Sequence, residues 1–384
     1  MGYAIIAIGY NRVNSMRRLI NSLLCADYLN DKVDLIISID NSGTTCVEEY
    51  ATNIEWPFGN KIIKTYPKRM GLRNHILTCG DYVEGYDGVA VFEDDIFVAP
   101  TFYSFMKQAV EFYKNDENVA GISLYSHLWS EYNKRPFIAE KRKYDVYFLQ
   151  YAQSWGQIWM PKQWRAFKAW YKDNNGEIVQ DANTPDHIVD WPKTSWLKYH
   201  IKYCIDTNKY FVYPYMSYST NFVEIGQHCK TSNTVYQVPM VYSSNQRYYF
   251  AKYGIQDAVY YDAFFERIIN SNQIAGLDEI GELEVDLYGN KAIKSSTRYL
   301  LSSKRLNKKI IKKYGLQLRP HEMNILLDIP GNDLFLYDLK EDDTEKKSFS
   351  DFDMARWYYD SRVFEYPYIA RVLFKIFKSK ILKK

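Results

Sequence analysis

The chain predicts an α/β fold: an open mixed sheet with flanking helices, continued by a mainly helical C-terminal extension. Three observations predict it. Short apolar runs suited to buried strands alternate with stretches whose apolar residues recur at helical spacing, the signature of βαβ units. Successive runs end in polar clusters, Gly9-Tyr10-Asn11-Arg12, Asp40-Asn41-Ser42-Gly43 and Glu93-Asp94-Asp95. Beyond about residue 240 the alternation gives way to helix-like and basic stretches. The reading is an α/β body over residues 1–238, with a first part to about 124 and a second over about 125–238, and an extension over 239–384.

The elements run in order. Tyr3–Ile8 is an apolar strand, and Asn14 or Ser15 can cap a helix through Leu19, Leu23 and Leu24. Val33–Ile39 is a second buried strand and Ile62–Thr65 a short third one. Leu72–Cys79 has helical spacing, Val89–Phe92 is the strand before the three acids, Phe102–Tyr113 is a helix and Val119–Leu124 a strand. The stretch from Tyr125 to Gln150 is irregular and rich in Tyr, Lys and Arg, as expected of a loop or added hairpin over a cleft. A helix around Trp164–Tyr171, a turn-rich span Asn174–Pro185, a helix over Trp191–Tyr203 and a strand at Tyr210–Tyr215 complete the body. In the extension, Ala258–Asn270 reads as helix and Leu283–Ile293 as a hairpin turning at Gly289-Asn290.

Composition sets the outer limits. The 384 residues are 47% hydrophobic, enough for a full core, which excludes a disordered chain. A net charge of +3 does not by itself predict nucleic-acid binding, and no nucleic-acid partner is expected. Five cysteines without paired spacing predict no disulfide framework and no metal finger. The N-terminus reads as a first strand and not a signal peptide, and no apolar stretch is long enough to span a bilayer, so a cytoplasmic setting is expected. The 36 tyrosines and 9 tryptophans suit both sugar-facing clefts and ordinary cores, and composition does not separate the two.

The most informative segment is Val91–Pro100. Three acids, Glu93, Asp94 and Asp95, sit between two apolar runs and not in a polar loop. Carboxylates at the end of a buried strand must be paired, protonated or bound to a cation, because buried unpaired charge is very costly. Hard oxygen ligands suit Mg²⁺ or Mn²⁺, which often bridge to a substrate phosphate. The open ends of strands in an α/β sheet are also where ligands bind.

Four segments in this order resemble nucleotide-sugar-dependent glycosyltransferases of the GT-A fold, in particular the bacterial family 2 enzymes, with likeness to N-acetylglucosaminyltransferase I. Ala4-Ile5-Ile6-Ala7-Ile8-Gly9-Tyr10-Asn11-Arg12 resembles the family's first strand and nucleotide loop, and Ser38-Ile39-Asp40-Asn41 the second. Val91-Phe92-Glu93-Asp94-Asp95-Ile96-Phe97-Val98-Ala99-Pro100 resembles the metal motif, and Ser154-Trp155-Gly156 followed by Trp159 the tryptophan-rich acceptor segment. The likeness covers roughly the first 235 residues.

The resemblance implies residue roles. Asp95 binds the metal, Mn²⁺ or Mg²⁺, and His228, in Asn221–His228, completes its shell. Glu93 and Asp94 contact ribose and donor sugar, or hold metal waters. Gly9, Asn11, Arg12 and Asp40 frame the nucleotide, and Arg73 adds a cation beside it. Trp155 and Gly156 belong to the acceptor segment, and Trp155 and Trp159 either stack on sugar or pack in the core. Asp190 is the general base of an inverting transfer, with Asp186 as the competing acid. The implied donor is a nucleoside diphosphate sugar, UDP by family default, and the acceptor a glycan or lipid-linked glycan. Two rivals stand beside this. A sugar-phosphate nucleotidyltransferase wants a Gly-rich basic loop after the first strand, where Gly9–Arg12 has one Gly; a non-catalytic carbohydrate-binding protein does not need the three acids.

The C-terminal Tyr368–Lys384 carries an apolar stripe, Ile369, Val372, Leu373, Ile376 and Phe377, with Arg371, Lys375 and Lys378 falling away from it. A basic amphipathic helix of this kind lies on an anionic membrane or docks on protein, the first placing the chain at the inner face of a membrane beside a lipid-linked acceptor, as in bacterial surface-polysaccharide assembly.

Overall fold

The computed structural model describes residues 2–222, 234–243, 247–274 and 283–343, with Ala370, Phe374 and Phe377 beyond them. β1 (Tyr3–Gly9) is buried along its whole length. α1 (Val13–Leu24) lays Met16, Leu19, Ile20 and Leu23 on the sheet. It starts two to three residues earlier than Asn14 or Ser15 would cap it, because the Met16 N–H already bonds the Arg12 carbonyl at 3.0 Å. β2 (Val33–Ile39), α2 (Cys46–Asn53), β3 (Lys61–Thr65), α3 (Leu72–Gly80), β4 (Gly88–Glu93), β5 (Ile96–Val98), α4 (Phe102–Tyr113) and β6 (Val119–Ser123) come next.

The span 125–150 is more than irregular cover. β7 (Trp129–Ser130) and β8 (Arg135–Pro136) form a small antiparallel hairpin. β9 (Val146–Leu149) is a fully buried strand of the main sheet. After it stand β10 (Gln157–Trp159), α5 (Pro161–Asp173), α6 (Asp186–Asp190), α7 (Leu197–Asp206), β11 (Tyr210–Pro214), β12 (Ser219–Asn221) and β13 (Tyr260–Tyr261). α7 begins at Leu197 and not at Trp191. Pro192 forces the residue before it out of the helical region, and Trp191 is extended at φ −61°, ψ 145°.

Nine strands make one mixed sheet in the order β13-β9-β11-β6-β10-β4-β1-β2-β3. β1 pairs in parallel with β2 and β4, and β2 with β3. β10 is inserted antiparallel between β4 and β6. Alternation along each strand feeds two cores. Ile5, Leu35 and Phe92 face α1 and α4, whereas Ile6, Val91 and Trp159 face the layer of Trp164, Phe167 and Tyr199. This is the mixed sheet with flanking helices that the sequence predicts.

The extension departs from expectation. β14 (Leu283–Asp286), β15 (Tyr299–Ser302), β16 (Lys308–Tyr314), the short α8 (Met323–Leu326) and β17 (Leu334–Asp342) form a four-stranded sheet, β14-β15-β17-β16, so its described residues are mainly strand and not helix. β14 pairs with β15 in parallel, so residues 283–293 are a strand and a turn, not a hairpin. The stretch expected to be helical at 258–270 holds β13 instead. There the Asp262 side chain accepts the N–H groups of Phe264 and Glu266, and Phe265 takes a left-handed φ of 63°. Phe250, Ala258, Tyr261 and Phe265 pack into the main cores, so the first body runs well past residue 238. Among the described residues no helix is long and apolar enough to cross a membrane.

Candidate active site

The parallel strands bring their carboxyl ends to one edge of the sheet, where ligands of open α/β folds bind. β1 delivers Gly9 and the loop Tyr10-Asn11-Arg12, β2 delivers Asp40, and β4 delivers Glu93, Asp94 and Asp95. All of these line a cleft of about 790 Å³, a size within the usual range of small-molecule and cofactor sites. Gly9 sits at a crowded edge: a Cβ there would come 2.6 Å from the Met16 methyl, which would have to move aside.

The acids are held from one side by Arg12. Its Nη2 bonds Asp94 Oδ1, its Nε reaches Asp94 Oδ2 at 3.2 Å, and Nη2 lies 3.3 Å from Asp95 Oδ2. Such a two-point grip is what a guanidinium offers a carboxylate. Arg12 therefore joins the β1 loop to the β4 acids. Glu93 is raised to about 8, first by burial, then by Asp95 and Asp94; Arg12 and a hydrogen bond from Trp196 pull the other way. Even with Glu93 protonated, the Asp94 and Asp95 carboxylates against the one close guanidinium leave an excess of negative charge, which suits a divalent cation. Among the described residues no three His, Cys, Asp or Glu converge as a metal cage. That is compatible with a cation held by one or two carboxylates, waters and substrate phosphates. His228 lies outside the described residues.

Asp40 is buried, and its carboxylate accepts the backbone N–H groups of Asn41 (2.8 Å), Met70 (2.7 Å) and Gly71 (2.9 Å). It thus shapes the loop that opens α3 as well as lining the cleft. That loop adds Arg69, whose guanidinium stands 5.2 Å from the Tyr10 ring. His75 also lines the cleft; its Nε2 lies 2.8 Å from Ser38 Oγ, and burial lowers its pKa to about 4, so it is neutral at pH 7. Sequence reading missed both. Lys68-Arg69 before a glycine was an available signal for the first; nothing local marks the second.

Arg73 is not where the sequence put it. It is absent from the cleft lining, whereas Arg69, Gly71, Leu72 and His75 are present. Its Nε donates to the Tyr171 hydroxyl at 2.7 Å, Nη1 to the Lys193 carbonyl at 3.0 Å and Nη2 to the Asn175 carbonyl at 2.6 Å. Helical geometry explains this: Arg73, two residues before His75, projects from a different side of α3.

One wall is residues 191–197. Trp191, Pro192, Ser195 and Trp196 line the same cleft as the acids. Asp190, the last residue of α6, is exposed and does not line the cleft, and neither does Asp186. The acceptor segment divides. Ser154 lines the cleft, while the half-buried Trp155 ring packs 4.7 Å from Tyr125 and 5.0 Å from Tyr236. Gly156 has φ +104°, and a Cβ there would meet Ser219 Oγ at 2.7 Å. Trp159 is core, stacked on Trp164 at 4.4 Å.

No family model matches the chain, and no curated protein matches it. Among solved structures it is similar to the mannosyltransferase PcManGT from Pyrobaculum calidifontis, in complex with GDP-Man and Mn²⁺, at 13% identity over 49% of this chain and 50% of that one, TM-score 0.32. It is similar to S. aureus TarS 1-349 in complex with UDP-GlcNAc at 12% identity over 61% and 62% of the two chains, TM-score 0.38. GalNAc-T7 with UDP, GalNAc and Mn²⁺ aligns at 10% identity over 56% and 42%, TM-score 0.37. The chain thus spans less than two thirds of each of these proteins.

Proposed function

We propose that this protein is a metal-dependent glycosyltransferase that moves a sugar from a nucleoside diphosphate sugar, UDP favoured, to a hydroxyl of a glycan or lipid-linked glycan. The observation that carries this reading is the Glu93-Asp94-Asp95 cluster at the mouth of β4, inside a cleft that also holds Arg12 and Arg69. The acid excess fits Mn²⁺ or Mg²⁺, with Asp95 as the direct ligand and His228 as the second. When bound, the cation supplies Lewis-acid stabilisation to the leaving diphosphate.

The chain's own groups do the rest. The two arginines offer charge to phosphate oxygens. Tyr10, Asn11 and the Asp40-shaped loop frame the nucleoside, and Trp191 and Trp196 exclude water from the cleft. Asp190 directly precedes the Trp191 wall and is our choice of general base, removing the acceptor hydroxyl proton as that oxygen attacks the anomeric carbon. Asp190→Asn should bind donor normally and transfer about 10²–10⁴-fold more slowly. If Asp186→Asn gives that phenotype and Asp190→Asn does not, the base is Asp186.

A further inference from the structure

We propose that Arg73, seconded by Lys198, is a positioning residue that fixes the 191–197 wall of the cleft that holds the acid cluster. The inference rests on the transferase reading for its kinetics, not for its structural readout. The buried Trp196 anchors one end of the wall in the core, but the middle of the wall has little packing of its own. Pro192, Lys193 and Thr194 are exposed, and the segment is not helical. Its own backbone contributes turn bonds, Trp191 to Ile188 and Ser195 to Pro192. Two cations pin it through carbonyl oxygens instead. Arg73 Nη1 holds the Lys193 carbonyl at 3.0 Å, in the middle of the wall. Lys198, itself buried, holds the carbonyls of Val189 at 3.0 Å and Trp191 at 2.7 Å.

Arg73 is built as a clamp. Its guanidinium lies 4.1 Å from the centre of the Tyr199 ring and 5.3 Å from that of Tyr171, and the Tyr171 hydroxyl and Asn175 carbonyl take its remaining bonds. It sits on the first turn of α3, directly after the Met70-Gly71 loop that Asp40 holds. One residue thus ties the nucleotide-side loop to the wall that carries Trp191 and Trp196 into the cleft. The planar fork makes three directed bonds at once, which a lysine ammonium on a flexible stem does not reproduce. A wall displaced by 1 Å at a reacting centre is enough for a loss of about 10²-fold.

The test compares wild type with Arg73→Gln, Arg73→Lys and Lys198→Met. Hydrogen exchange of the amides in 188–199 should accelerate about 10-fold in each variant, with β1 and β4 unchanged. UDP affinity in Mn²⁺ should stay within about 2-fold of wild type, while kcat for transfer falls about 10–100-fold. Unchanged exchange in this segment overturns the proposal. So does a loss of UDP affinity that accounts for the whole loss of activity, since Arg73 would then be a nucleotide ligand. If Arg73→Gln does not fold, Arg73→Lys and Lys198→Met decide by the same criteria. A wild-type protein that binds no nucleoside diphosphate ends the transferase reading, and the exchange experiment still decides the clamp.

Discussion

His200 is fully buried, its ring stacked on Phe167 at 4.3 Å, and neither ring nitrogen has a hydrogen-bond partner. Burial pushes its pKa down to about 3. The folded value is below the unfolded one, so the unfolded chain binds the extra proton between pH 3 and 6.5, and stability from this group falls as pH falls through that window. His200→Phe keeps the ring and removes the titration. We expect it to be neutral or stabilising at pH 7 and to gain a further advantage of about 2 kcal/mol at pH 5. Urea unfolding at the two pH values measures this; an advantage that does not widen contradicts it. The comparison must be differential, because Glu131 and Glu322, each raised to about 7 by burial, favour the folded state in acid. At this scale the sequence was informative where chemistry clustered. Glu93, Asp94, Asp95, Arg12 and Asp40 were legible because strand ends concentrate polar groups, and they do meet in one cleft. Arg73 was misread because a guanidinium beside a glycine loop looks the same whether it faces phosphate or carbonyls.

At the scale of elements, period and length located most strands and helices of the first body. Two failures have distinct causes. β9 escapes detection because a four-residue strand, apolar on both faces and preceded by a Lys-Arg-Lys run, has no periodicity to read. The wall before α7 resembles helix in sequence because Trp191, Ser195 and Lys198 fall at helical spacing, while Pro192 acts locally on the residue before it. Gly156 shows an element-level constraint hidden under a functional expectation. It stands at φ +104° just before β10, and the Ser219 hydroxyl that a Cβ would strike is itself bonded to the Trp155 carbonyl at 2.5 Å. Gly156→Ala should therefore cost about 1–3 kcal/mol of stability in denaturant unfolding, from backbone strain together with the clash. A change below about 0.5 kcal/mol, the ordinary surface range, would refute that account.

For the whole molecule, the sequence showed a change of character near residue 240 but not the architecture beyond that point. Basic stretches in 308–313 resemble an exposed helix in composition. They form β16 instead, with Lys308 and Lys309 paired to Asp342 and Glu341 across the strand pair, a non-local arrangement that no local pattern announces. The C-terminal stripe over 368–384 falls almost wholly outside the described residues; Phe374 and Phe377 are helical and exposed. We propose that this segment holds the protein on an anionic membrane. Flotation with anionic vesicles should recover the full chain and lose a version ending at residue 367, and adding salt should weaken recovery, since each basic residue near the surface contributes on the order of 1 kcal/mol. Equal recovery of both forms removes the membrane proposal and leaves the site untouched.

The central claim is that the β4 acids hold a cation that carries a nucleoside diphosphate, and titration calorimetry tests it most directly. UDP and the other nucleoside diphosphates are titrated into wild type and Asp95→Asn, each with Mn²⁺ and with a chelator, after thermal unfolding has shown that both proteins are folded. The account predicts saturable binding of at least one nucleoside diphosphate to wild type in Mn²⁺, a loss of about 10-fold or more in affinity with the chelator, and the same loss in Asp95→Asn. Binding that is equally tight without metal and in Asp95→Asn, or no binding of any nucleoside diphosphate to the folded wild type, would contradict it.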